Sequence, residues 1–98
     1  MATYIGLFKW TDQGMRNIKE VLTRLERSRG RLEQVGGRVI GTWWIQGSYD
    51  LVWVVDVPHD EAARVWSLSA NLAGHVRTEV VRAYDEKEME RILGQLMP

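Results

Sequence analysis

The sequence predicts an α+β domain in the order β-α-β-β-α-β with one further helix at its C-terminal end, and three observations carry that prediction. Four short runs rich in β-branched and aromatic residues alternate with two longer runs whose apolar residues recur at helical spacing. The second and third strand-like runs are separated only by Gly47-Ser48, a glycine-first pattern that suits a two-residue type II′ hairpin turn. At 98 residues and 45% hydrophobic content the chain suits one core, so residues 1–98 are read as a single domain.

The first strand is predicted over 3–10 (TYIGLFKW), ending at Thr11-Asp12, where either side chain can cap a helix. Over 13–35, Met15, Ile18, Leu22, Leu25 and Leu32 recur in steps of three, four or their sum, with charged residues between them, which predicts one long amphipathic helix. Gly30 interrupts it at a cost of roughly 1 kcal/mol relative to alanine; either the helix packs tightly there or it is locally weakened. Gly36-Gly37 supplies a left-handed stop. Strands over 38–46 and 49–57 form the hairpin, Pro58 ends the second, and Asp60-Glu61 opens a second helix running through Ala62, Val65, Trp66, Ser69 and Leu72. A fourth strand follows over 76–84, and Met89, Ile92, Leu93 and Leu96 mark a short final helix.

This order has one compact solution: two right-handed crossovers interleaved in a four-stranded antiparallel sheet, with both long helices on one face. That is the ferredoxin-like fold. A two-residue turn sets Trp44 opposite Leu51, Trp43 opposite Val52 and Thr42 opposite Trp53. Ile40, Thr42, Trp44, Tyr49, Leu51, Trp53, Val55 and Val57 then share the uncharged, helix-facing side, which puts Trp44 and Trp53 in packing. Val39, Trp43, Ile45, Val52 and Val54 fall on the other side with Asp50 and Asp56. An apolar sheet face of that extent is expected to be covered by another subunit. A one-residue bulge in the hairpin would mix the two sets.

Composition narrows the partners. Thirteen basic and thirteen acidic side chains leave no net field, so neither nucleic acid nor a membrane is expected as a partner. The absence of cysteine excludes disulfides, thiolate metal sites and cysteine nucleophiles. The N-terminal stretch has no basic region before its apolar run, and no window is long and apolar enough to span a bilayer, so a cytoplasmic location is expected. No phosphate-cradling or serine-hydrolase motif occurs. Arg24, Arg27, Arg29 and Arg31 are interspersed with Glu20, Glu26 and Glu33 and read as a solvated helix face.

Gly47-Ser48-Tyr49-Asp50, together with ATYIGLFKWTDQGMRNIKE, GGRVIG, DVPHDEAA and HVRTEVVRAY in that order, resembles the GYD-domain proteins, a bacterial family, over nearly the whole chain. His59 departs from the pattern, as the family often has an acidic residue there, and so does the surplus of tryptophan. The resemblance implies a subunit of a dimeric α/β barrel, in which two sheets pack face to face around a cavity. It implies no particular reaction, because fold likeness alone does not select one.

The residues suggest where chemistry would sit. Asp50, beside an apolar face, and His75, preceding the fourth strand, are the acid/base candidates; turn structure and a surface loop are the simpler readings. Trp43 and Tyr49 are candidates to contact a flat ligand, against plain dimer packing for the tryptophan. Thr78 and Arg82 project together and are expected to reach the same cavity, Arg82 pairing with Asp50 or an anion unless it forms an ordinary interface salt bridge. Lys9 is a similar cation on the first strand. His59 and His75 lack further ligands at metal spacing, so no metal and no cofactor are expected. The reading is a homodimer or larger ring that binds a small organic molecule between its sheets. Its alternatives are a cofactor-free isomerase or monooxygenase using Asp50 or His75, and a structural or regulatory oligomer without a ligand.

Overall fold

A computed structural model describes residues 1–97. The strands are β1 (Ala2–Trp10), β2 (Arg38–Trp44), β3 (Leu51–Val57) and β4 (Val76–Ala83), and the helices are α1 (Asp12–Arg16), α2 (Val21–Gln34), α3 (Asp60–Leu72) and α4 (Glu86–Leu93). The sheet order is β2-β3-β1-β4 with every neighbour antiparallel, which is the ferredoxin-like arrangement. Among the described residues no helix is long and apolar enough to cross a membrane.

Pairing fixes which side chains share a face. Tyr4, Phe8, Leu51, Trp53, Val55 and Val57 are buried and alternate with more accessible residues along β1 and β3. Leu25 and Leu32 of α2 and Ala62, Ala63, Trp66 and Ala70 of α3 complete the core against them. At its centre Trp53 stacks on Phe8 with ring centroids 5.9 Å apart and meets Trp66 edge-on at 5.5 Å. Such contacts add to the area that the aromatics bury.

The single helix expected over 13–35 is two helices joined by a 3₁₀ turn (Ile18–Glu20). Tertiary bonds impose the break. Thr11 caps α1 by accepting from the Gly14 N–H at 3.1 Å, and Thr11 also donates its own N–H to the His75 carbonyl at 3.1 Å. Arg24 of α2 then reaches back to the carbonyl oxygens of Asn17, at 2.6 Å, and Gly14, at 3.3 Å, at the end of α1. The altered phase leaves Met15 and Leu22 exposed, whereas Leu25 and Leu32 are buried as their spacing predicts.

The hairpin pairs as expected at Trp44 and Leu51, Trp43 and Val52, and Thr42 and Trp53. Its turn is wider than two residues, because the strands stop at Trp44 and resume at Leu51. The connecting loop, 45–50, is drawn onto β1. Asp50 donates its N–H to the Phe8 carbonyl at 2.9 Å, its Oδ2 accepts the Trp10 N–H at 3.0 Å, and Lys9 Nζ donates to the Ser48 carbonyl at 3.0 Å. Gly47 turns the chain at φ 142°, where other residues are strained.

A bulge between Val39 and Gly41 shifts the lower half of β2 by one residue. Val39 therefore packs against the core, and Ile40, expected inside, is 53% exposed. Trp44 ends an edge strand and is 45% exposed, so the core closes on Trp53 alone of the two tryptophans expected there.

Candidate ligand-binding site

The sheet face turned away from the helices carries Ile5 and Leu7 of β1, Trp43 of β2, Val52 and Val54 of β3, and Val81 of β4. Trp43 is 54% exposed, and its indole folds back over Gly41, which has no side chain to hold it off. Polar groups rim the patch. Asp56 accepts from the Thr3 hydroxyl at 2.6 Å and from Arg38 at 3.0 Å. The Thr3 hydrogen bond, and behind it Arg38, hold the Asp56 carboxyl below the usual range against the opposing effect of partial burial. Tyr49 donates its hydroxyl to Glu79 across the end of β1, and that bond foremost raises the phenol above its ordinary value.

The sequence candidates divide between two sides of the sheet. Trp43 and Tyr49 belong to the open face. Thr78 and Arg82 do not: Thr78 pairs with Phe8 and Arg82 with Tyr4, and both partners are core residues, so β4 turns these side chains toward the helices. Arg82 lies 4.6 Å from the Tyr84 ring centroid and 5.8 Å from that of Tyr4, and its Nη2 donates to Glu88 at 2.6 Å. Its partner is thus Glu88, not Asp50. Asp50 holds the Trp10 N–H and so completes the end of β1.

On the helix side, Tyr4, Asp60, Arg64, Ser67, Arg82 and Tyr84 border an open polar recess. Tyr4 donates to Asp60, and burial first, then that bond, raises its hydroxyl above the ordinary phenol value. Tyr4, Asp60 and Arg82 are thereby engaged with one another or with Glu88.

His75 lies elsewhere, at a cleft between α2 and the sheet. Phe8, Leu51 and Trp53 line it from the sheet, Leu25 and Ser28 from α2, and Ala70 and Ala73 from the α3 end. Arg24, Arg27 and Arg31, spaced three and four apart on α2, also line this largely apolar cleft. The space a ligand could occupy is about 80 Å³, below the roughly 300–1,000 Å³ of drug-sized small-molecule sites, so the cleft takes the edge of a molecule. Two buried polar atoms of the lining, Trp53 Nε1 and His75 Nδ1, have no protein hydrogen-bond partner. Trp66 differs, since its Nε1 donates to Ser28 Oγ at 3.2 Å. Buried donors are ordinarily paired, and the Trp53 N–H, on a side chain 0% exposed, is an exception.

Sequence reasoning missed this cleft because Trp53 reads as packing and the arginines as a solvated face. The available signal was the coincidence of Arg24, Arg27 and Arg31 with Leu25, Ser28 and Leu32 on adjoining stripes of one helix. Among the described residues there is no group of three or more His, Asp or Glu side chains arranged to hold a metal ion.

The family model of the GYD domain matches residues 4–93. The chain is also similar to the crystal structure of TTHA0845 from Thermus thermophilus, at 21% identity and a TM-score of 0.55, over 87% of this chain and 95% of that one. That likeness is one of fold. No curated protein matches the sequence.

Proposed function

The chain belongs to the GYD-domain family, and from that premise we propose that it binds a small organic molecule in the cleft beneath α2, as one subunit of a homo-oligomer whose open sheet faces pack together. One observation supports the ligand reading: a largely apolar cleft is lined by Trp53 and His75, whose Nε1 and Nδ1 are buried and without a protein partner. Burying an unpaired amide-like donor costs on the order of 1–3 kcal/mol, a cost that an acceptor admitted by movement of the lining would offset. The cleft is favoured over the inter-sheet space because one subunit forms it entirely. The exposed apolar patch around Trp43 and Val81 supports the oligomer.

An enzymatic version is favoured at one residue. That version rests on His75, which borders the cleft, as the residue that would move a proton, while Asp50 is already engaged with the Trp10 N–H.

Amide and indole N–H resonances of the uniformly ¹⁵N-labelled oligomer, titrated with the neutral probe 2-naphthalenemethanol, test the proposal. Shifts at the Trp53 indole N–H and at the backbone of Phe8, Leu51 and Ala70 support the cleft. Shifts confined to Trp43 and Val52 move the molecule between the sheets. No shift, together with a protein that carries no small molecule in native mass spectrometry, leaves a structural oligomer.

A further inference from the structure

We infer that the molecule held in this cleft is an anion, a flat apolar carboxylate whose charged group sits at the arginine rim; this rests on the ligand-binding reading above. Arg24, Arg27 and Arg31 all line the cleft, and no aspartate or glutamate does. The charge there is uncompensated although the whole chain has thirteen basic and thirteen acidic residues.

Two of the three arginines are oriented without being neutralised, and Arg27 is exposed. Arg24 donates to two backbone carbonyls, and Arg31 donates Nη1 to the Ser69 carbonyl at 3.1 Å. Carbonyl contacts fix a guanidinium plane but carry no opposing charge. Among the described residues none of the three forms a salt bridge, whereas Arg29, on the same helix, pairs with Glu26. A planar guanidinium presents paired donors that match the two oxygens of a carboxylate. The largely apolar lining takes the uncharged edge of the molecule and leaves its carboxylate at the mouth. A phosphate monoester carries more charge and is more strongly hydrated, which fits a mouth opening onto aromatic walls less well.

The test compares three probes of one ring system: 2-naphthoate, 2-naphthalenemethanol and 2-naphthyl phosphate. Calorimetry gives affinities for the intact oligomer, and the indole N–H resonances give the location. The expected result is 2-naphthoate binding in the cleft on the order of tenfold more tightly than the alcohol, with an affinity that falls as salt rises. Arg27→Gln, and separately Arg31→Gln, are expected to remove most of that preference while alcohol binding is retained. Neither substitution touches the Arg24 contacts that cap α1.

Equal affinity for acid and alcohol in the cleft overturns the anion inference and leaves the cleft reading standing. Tighter binding of the phosphate overturns the carboxylate assignment. Failure of all three probes to perturb Trp53 overturns both the inference and the reading beneath it.

Discussion

The Trp43 indole rests on Gly41, two residues earlier on the same strand: a β-carbon on that glycine would stand 2.8 Å from Cζ3 of the ring and closer still to Cη2. Glycine is thus what allows a large side chain to lie along the sheet.

Gly41→Ala is therefore expected to lift Trp43 from the sheet while leaving the helix-facing core intact. If the open face is where subunits meet, self-association measured by sedimentation weakens roughly tenfold or more, the loss expected of a central aromatic anchor. Altered tryptophan emission with unchanged association would show that Trp43 lies outside the contact.

Gly30 lies within α2, and a β-carbon there meets nothing within 4 Å. The sequence left two explanations for this glycine, and the open space removes close packing as the reason. Gly30→Ala is expected to stabilise the protein by roughly 1 kcal/mol, seen as a rise of several degrees in thermal midpoint. A lower midpoint would mean that this position contacts another subunit.

Acid should weaken the fold through two carboxylates. Thr3 and Arg38 hold the Asp56 carboxyl low; Arg82 foremost, and then the Asp85 N–H, does the same for Glu88. A carboxyl depressed in the folded state contributes stability that is present above its unfolded value, near pH 4, and is lost as pH falls through the lower folded value. Urea midpoints are expected to fall below about pH 4, and Asp56→Asn and Glu88→Gln should each flatten part of that decline. Parallel acid profiles for the parent and both variants would remove these pairs as its source.

The fold was legible because its signals are local. Alternation marks β3, three- and four-residue steps mark α3, and the hairpin pairing from Trp44 to Leu51 follows from a short connection between two strands. What was illegible depends on partners distant in sequence. The break after α1 is set by bonds to His75 and Arg24, and the wide loop at 45–50 by the end of β1. Alternation correctly placed Thr78 and Arg82 together, but their face follows from pairing with Phe8 and Tyr4, some seventy residues away. The cleft was hidden for the same reason. Trp53 and Trp66 look alike in sequence, and only the position of Ser28 leaves one indole paired and the other not.

The Asp50 contacts change what the hairpin tip can tolerate. Exposed loop tips are ordinarily the places where a chain accepts added residues, and Gly47-Ser48 invites such use. Here the tip supplies hydrogen bonds to β1, which lies inside the sheet between β3 and β4. One residue more or fewer shifts Asp50 against Phe8 and Trp10 together, so the length of this loop is itself part of the specification of the central strand. Epitope insertions and fusion joints belong instead beyond α4, where Gln95, Leu96 and Met97 are exposed and pair with no strand.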